Sequence, residues 1–319
     1  AMVRVFQDEL GAFWAHNSTN VIAFSSVQNS IGLLRNYSDD PAQSWNNRVI
    51  GFTEDKAQNI WFGGFNGFNK LDTKTGRVEM HPPVEDATDR LSHISVRGMA
   101  FDGRYLILGP TLKGMWLYDP HTDRFQRPVF ATDSVQAAID REFVNGIVPL
   151  RDGNFFICAR YNSYLLEGKS YRLNFLEFPG STGDIDAAYQ DSLGRLWIGN
   201  QKGIVVLDKQ YQLLFSHETE GESPVSIFQN SKDEMLIGTS NGLQRLAPAT
   251  ENGTWTRVAG PLEGHAVNII YRDKRNRFWF GTDDGLFLAD PQLKLFRRFD
   301  FADNIQSEYY YHFSVLRAS

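Results

Sequence analysis

Short alternations of apolar and polar residues, separated by polar turns, run along the whole sequence. One phrase recurs among them: three apolar or aromatic residues, a glycine, a short polar stretch, a second glycine and another apolar residue. Its clear copies begin at Ile60, Leu196, Met235 and Phe278, and weaker copies begin at Phe13, Leu106 and Phe155. The copies lie 39 to 49 residues apart. This spacing is typical of architectures built from one repeated supersecondary unit.

Each repeat contains four apolar alternations, which predict four short β-strands. Glycine, aspartate and asparagine stand between the alternations, where they favour tight turns. Helical spacing of apolar residues occurs in one segment, Asp133 to Glu142, where Val135, Ala138 and Ile139 predict one or two exposed helical turns. The chain is therefore predicted to be all-β with a single short helix.

Four antiparallel strands repeated about seven times predict a seven-bladed β-propeller with four-stranded antiparallel blades. The large residue of the second strand is expected to fill the wedge between blades, and the glycine after it to admit a neighbouring backbone. The prediction is one domain over residues 1–319, with blades at 3–41, 45–83, 94–130, 143–178, 184–218, 224–260 and 265–300. Residues 305–319 are predicted to start a further repeat or to form a closing strand.

Charge and cysteine content exclude several classes of function. The formal net charge is -6, and Lys and Arg form no basic stripe, so no nucleic-acid partner is predicted. A single cysteine, Cys158, excludes a disulfide within the chain and a cysteine-based zinc cluster. Its apolar neighbours Ile157 and Ala159 predict a small buried side chain.

Both ends of the chain suggest a domain cut from a longer protein. The first residues enter a strand-like alternation directly, without the charged and apolar regions of a signal peptide. No apolar run approaches the roughly 20 residues that span a bilayer, so membrane attachment is expected only through segments outside this chain. The segment from Tyr309 to Arg317 resembles the beginning of one more repeat.

The recurring phrase resembles the two-component regulator propeller repeat, whose consensus is close to Leu-Trp-Ile-Gly-Thr-x-x-Gly-Leu followed by a strand and Asp-Pro. The segment from Phe278 to Leu286 is similar almost residue for residue, and the segment from Asp191 to Gly199 resembles the family's Asp-x-x-Gly-x-Leu-Trp-Ile-Gly stretch. His16, Pro110 and Ala159 depart from the repeat near its usual Gly-Thr. The blades that contain them are predicted from spacing alone.

This resemblance implies the periplasmic or extracellular part of an inner-membrane hybrid histidine kinase or diguanylate cyclase. The implied function is a sensor domain, not an enzyme, that binds a small molecule such as an oligosaccharide and passes the signal to a downstream kinase or cyclase. Two alternatives remain, because a fold does not define a function. One is a propeller lyase or glycosidase, and the other is a scaffold for protein assembly, including a homodimer through flat propeller faces.

Catalytic and metal-binding signatures are not found in the sequence. It contains no nucleotide-binding glycine motif, no Gly-x-Ser-x-Gly and no His-Glu-x-x-His, and its seven histidines are scattered. No catalytic residue, metal ligand or cofactor is therefore predicted. The acidic pairs Asp39-Asp40, Asp184/Asp186 and Asp283-Asp284 lie in predicted turns, where aspartate caps its own backbone, and this interpretation is favoured over glycosidase chemistry.

A ligand site is predicted at one mouth of the channel, on the loops that enter each first strand and the loops that join second and third strands. Arg and aromatic side chains there suit a sugar or an anionic oligosaccharide. The candidate residues are Trp45, Asn47, Arg48, Arg97, Asn145, Arg160, Tyr161, Asp184 and His265. The enzymatic alternative would use His265 with an acid. The competing interpretation is that all nine are ordinary loop residues and contacts between blades.

Overall fold

A computed structural model describes residues 5–7, 12–16, 21–25, 30–34, 49–64, 67–81, 95–180, 183–219 and 221–299. These residues form short β-strands arranged in separate antiparallel sheets, as the apolar alternation predicts. An N-terminal sheet contains β1 Val5–Gln7, β2 Ala12–His16, β3 Val21–Ser25 and β4 Ser30–Leu34. The next two sheets contain β5 Val49–Glu54, β6 Ile60–Gly64, β7 Gly67–Leu71 and β8 Val78–His81, and then β9 Val96–Phe101, β10 Leu106–Pro110, β11 Trp116–Asp119 and β12 Arg124–Gln126.

Four further sheets follow along the chain. The first has β13 Val129–Phe130, β14 Val144–Pro149, β15 Phe155–Ala159, β16 Ser163–Leu166 and β17 Arg172–Phe175. The second has β18 Ile185–Gln190, β19 Leu196–Asn200, β20 Gly203–Leu207 and β21 Leu213–Glu218. The last two have β22 Pro224–Ser231, β23 Glu234–Thr239, β24 Gly242–Ala247 and β25 Thr254–Arg257, and then β26 Val267–Arg272, β27 Phe278–Thr282, β28 Gly285–Ala289 and β29 Phe296–Phe299.

Six of these sheets are propeller blades. Their first strands, β5, β9, β14, β18, β22 and β26, pack against one another in chain order and so surround a common axis. Each blade is named below by this strand, from the β5 blade to the β26 blade. The all-β propeller with four-stranded antiparallel blades is thus confirmed.

The predicted number of blades is corrected, because the structure shows six and not seven. The sheet β1–β4 has the four-stranded antiparallel form of a blade. Within the described part of the chain, however, the extensive packing that defines a blade joins only the six sheets from Val49 to Phe299. The residue pattern predicts strands from local alternation, whereas a blade also needs a neighbouring sheet against which it packs.

The β14 blade differs from the predicted four strands, since it has five. The chain that leaves the β9 blade adds β13 in parallel along the outer strand β17. Helix α1, Asp133–Ile139, follows, and its N-cap Thr132 accepts a hydrogen bond from the backbone N–H of Val135. Val135 and Ile139 are buried between the β9 and β14 blades. The predicted helix is thus confirmed, but the prediction that it is exposed is wrong for its apolar residues, because they pack between two blades.

Aspartate in the turn between first and second strands holds the following tryptophan. Asp191 accepts hydrogen bonds from the backbone N–H groups of Leu193 and Arg195 and from Trp197 Nε1 at 2.9 Å. Asp55 and Asp273 bind the tryptophans of their own blades in the same way. This part of the repeat phrase is therefore structural.

The glycine of the phrase allows close contact between blades. A Cβ atom at Gly238 would overlap the carbonyl oxygen of Val267 in the next blade, and one at Gly199 would lie 2.9 Å from Pro224 Cβ. In the β14 blade Cys158 occupies this position and is buried, as the sequence predicts. Within the described residues, no helix is long and apolar enough to cross a membrane.

Candidate functional site

A β-bulge begins the first strand of every one of the six blades. In the β14 blade Val144 pairs with Ala159 and Gly146 pairs with Cys158, so Asn145 between them has no partner across the ladder. The other blades have one extra residue at the same place in the strand register: Ile50, Arg97, Asp186, Val225 and Asn268. Because the first strands surround the axis, the six bulge residues form a ring at one end of it.

The loops predicted to form the mouth lie at this same end. The loop that enters a first strand is bound to the loop that joins the second and third strands of the same blade. Ser240 donates its backbone N–H to the carbonyl oxygen of Ser223 at 2.9 Å, and Thr111 donates likewise to Ser95 at 2.8 Å. The two loop types thus form one surface around the bulge ring.

Four of the predicted site residues lie together at the junction of the β14 and β18 blades. Asn145 Nδ2 is 3.5 Å from Asp184 Oδ1, and Arg160 Nε is 3.5 Å from Asp184 Oδ2. The Arg160 guanidinium lies over the rings of Phe143 and Tyr161, at 5.4 and 5.7 Å from their centroids. We call Asn145, Arg160, Tyr161 and Asp184 the Arg160 cluster.

The remaining predicted site residues are not part of this cluster. Arg97 is the bulge residue of the β9 blade. His265 lies in the β26 blade, with Nδ1 3.3 Å from Asp283 Oδ1 and Nε2 3.7 Å from Asp284 Oδ2. Trp45, Asn47 and Arg48 lie outside the described residues.

The structure corrects the turn interpretation of the pair Asp184/Asp186. Asp184 contacts Asn145 and Arg160 of the neighbouring blade, and Asp186 belongs to strand β18 as its bulge residue. Burial, and next the charge of Asp184, raise the pKa of Asp186 to about 7. Strand β18 begins earlier than the apolar alternation indicates, because the bulge includes Asp186 in the strand.

Glu142 is a functional candidate that sequence reasoning missed. It is 1% exposed and accepts hydrogen bonds from Tyr161 N–H at 3.0 Å, Asn162 Nδ2 at 2.7 Å and Tyr164 Oη at 3.3 Å. Burial, and next the Glu142 carboxyl, raise the pKa of the Tyr164 hydroxyl well above its usual range. The sequence feature that could have identified Glu142 is its position three residues before the bulge residue Asn145.

The Arg160 cluster combines groups that suit a polar ligand. Arg160 is partly exposed and Tyr161 is 54% exposed, so a cation and an aromatic ring both face solvent. Asn145 and Asp184 add an amide and a carboxyl group that bind hydroxyl groups. Over the described part of the chain, no group of three or more His, Cys, Asp or Glu residues is arranged to hold a metal ion.

Comparison with protein families gives a match within the β26 blade. The family model described as "Two component regulator propeller" matches residues 261–284, which run from the loop before β26 into the loop after β27. The resemblance seen in the repeat phrase is thereby confirmed, and the chain carries the two-component regulator propeller repeat. The comparison with curated proteins gave no match.

Solved structures share the fold at low sequence identity. Two are extracellular domains assigned to different hybrid two component systems of B. thetaiotaomicron. They have TM-scores of 0.70 and 0.72, identities of 19% and 16%, and coverage of 91% of this chain in both cases. This chain spans 40% and 38% of their lengths. A virginiamycin B lyase from Staphylococcus aureus has a TM-score of 0.66 at 11% identity, covering 88% of this chain and 91% of its own.

Proposed function

We propose that this propeller is the ligand-sensing domain of a membrane-bound signal-transduction receptor, located in the periplasm or outside the cell. It binds an anionic oligosaccharide at the Arg160 cluster and passes the signal to a downstream kinase or cyclase. The repeat match and the two extracellular domains of similar fold support this proposal. Attachment to an inner membrane is through segments outside this chain.

The exposed pair of Arg160 and Tyr161 carries the proposal. The Arg160 side chain is 46% exposed, and an ion pair with Asp184 at that exposure contributes little stability. A ligand carboxylate therefore displaces Asp184 at small cost and forms paired hydrogen bonds with the guanidinium. The Tyr161 ring then offers a face for an adjacent sugar ring.

The test is calorimetric titration of the chain with a uronic-acid trisaccharide and with its neutral analogue. Arg160→Ala and Tyr161→Ala are each expected to lower affinity at least about tenfold, the loss of one charge-assisted or stacking contact. Arg151→Ala is the matched control, because Arg151 is exposed in the turn between β14 and β15 at the opposite end. Equal affinity for both trisaccharides, or equal losses in all three variants, would contradict the proposal.

A propeller lyase or glycosidase is the second candidate, favoured by the position of His265 between Asp283 and Asp284. A histidine beside a carboxyl group is a common general base. If this candidate is correct, incubation with the same trisaccharide yields shorter products by chromatography, and His265→Ala abolishes them. Intact trisaccharide after prolonged incubation with the wild-type chain excludes the candidate.

A further inference from the structure

In the β14, β22 and β26 blades, the residue three positions before the bulge contacts the loop between the second and third strands of its own blade. Glu222 stands three residues before the bulge residue Val225. Its carboxyl group accepts hydrogen bonds from Thr239 Oγ1 at 3.1 Å, Asn241 Nδ2 at 2.9 Å and Gln244 Nε2 at 2.8 Å. We call this position the anchor position, because it connects the two loops that form the mouth.

Other residues occupy the anchor position in the β26 and β18 blades. His265 occupies it in the β26 blade and lies beside Asp283, the first residue after β27. In the β18 blade it is Gly183, which has no side chain to bind a loop. The next residue, Asp184, contacts Asn145 and Arg160 of the β14 blade instead.

Glu142 is the anchor of the β14 blade, and it holds the segment that carries the Arg160 cluster. The Tyr161 backbone N–H donates to its Oε2 atom, and the Arg160 backbone N–H donates to the carbonyl oxygen of Phe143. Asn162 and Tyr164 donate to the Oε1 atom. Both residues that face solvent are therefore tied through their backbones to one buried carboxyl group and the residue beside it.

We propose that Glu142 is the positioning residue of the ligand site, which holds Arg160 and Tyr161 in the conformation that binds the oligosaccharide. This inference rests on the proposed function for the ligand, but its structural part is independent of it. A buried carboxyl group that accepts three donors cannot be replaced by an amide without leaving one donor opposed to an N–H. Loss of the Tyr161 contact then frees the segment and spreads Arg160 over several conformations.

The test compares Glu142→Gln with Glu222→Gln, which changes the equivalent anchor in a blade outside the Arg160 cluster. Hydrogen–deuterium exchange of the Tyr161 amide is measured by fragmentation mass spectrometry, and affinity for the uronic-acid trisaccharide by calorimetry. We expect Glu142→Gln to speed exchange of the Tyr161 amide and to weaken binding, each about tenfold or more, the loss of one hydrogen bond to a charged group. Glu222→Gln is expected to lower the melting temperature and to leave both quantities within about twofold.

Two further observations keep the outcomes distinct. Asn162→Ala removes one donor without changing the buried carboxyl group. It should also speed exchange of the Tyr161 amide and weaken binding, but less than Glu142→Gln does. This variant provides the test if Glu142→Gln does not fold. If the wild-type chain binds no trisaccharide, the proposed ligand is wrong, while faster Tyr161 exchange in Glu142→Gln still supports the positioning role. Unchanged Tyr161 exchange in both Glu142→Gln and Asn162→Ala overturns it.

Discussion

The β14 and β22 blades both have a glutamate at the anchor position, but the two glutamates bind different groups. In the β22 blade Glu222 binds side chains from its own blade, including Arg257, and the loop is closed into a network. In the β14 blade Glu142 is fully buried and binds the Tyr161 backbone, so the Arg160 and Tyr161 side chains point outward. One repeat position thus supports either a closed side-chain network or a loop with exposed side chains.

The difference arises from which group donates to the anchor carboxyl. A side chain that donates to the anchor, such as that of Asn241 or Gln244, has already used that donor and cannot offer it to a ligand. A backbone donor leaves its own side chain available, as for Tyr161. Repeats of nearly constant backbone can therefore differ in the side chains that they leave exposed at the mouth.

The largest expected effect tests the contact between blades that underlies both mouths. Gly238→Cys is expected to destabilise the fold by about 3 kcal/mol, because its Cβ would overlap the Val267 carbonyl oxygen. The reverse change in the β14 blade, Cys158→Gly, is expected to cost about 1 to 2 kcal/mol through lost packing and added backbone freedom. Urea denaturation measures both, and a larger loss for Cys158→Gly would refute the close-contact argument.

Removing the closed network should have the second largest effect. Burial raises the pKa of Glu222, but hydrogen bonds led by those of Asn241 and Arg257 outweigh it and lower the pKa overall. Its stabilisation is therefore present above the unfolded pKa and lost as pH falls through the lower folded value. Glu222→Gln should cost about 2 kcal/mol at pH 7, with a smaller difference at pH 3. The exposed Glu218→Gln should show neither effect by urea denaturation.

The acid at the β18 bulge should respond to pH in the opposite direction. The folded pKa of Asp186 is about 7, above its unfolded value, so its contribution is full below the unfolded pKa and lost as pH rises through 7. Asp186→Asn should thus stabilise the fold by about 2 kcal/mol at pH 8 and have little effect at pH 4. Asp184→Asn should move the transition to lower pH by removing the like charge. If the free energies of unfolding of Asp186→Asn and the wild type differed by the same amount at pH 4 and pH 8, this account would be contradicted.

The smallest effect is expected at the anchor of the β26 blade. His265 is about one third exposed beside Asp283, and a polar contact at that exposure contributes less than about 1 kcal/mol. His265→Ala should therefore shift the urea midpoint only slightly. A loss equal to that of Glu222→Gln would mean that all anchors are equivalent and that burial does not distinguish them.

Sequence reasoning named those candidate residues that lie close together in the chain or at equivalent positions of the repeat. Arg160 and Tyr161 follow the recurring phrase, and Asp184 precedes the next first strand, so their loops were expected at one mouth. Glu142 was missed because it lies 19 residues from Tyr161 in the chain, and nothing local to it indicates burial. His265 was assigned to the mouth of the last blade by loop type, and the structure places it there beside Asp283.

Local residue patterns were sufficient for the strands, the short helix, the turn aspartates and the glycine at the contact between blades. Each of these depends on alternation, capping or the absence of a side chain, and these are properties of a few neighbouring residues. The number of packed blades, the β13 strand, the ring of bulges and the meeting of Asp184 with Arg160 depend on contacts between distant segments. Such contacts form only when blades pack around the axis. They decide whether the residue at a given repeat position binds a loop, as Glu142 does, or contributes to the candidate ligand site, as Asp184 does.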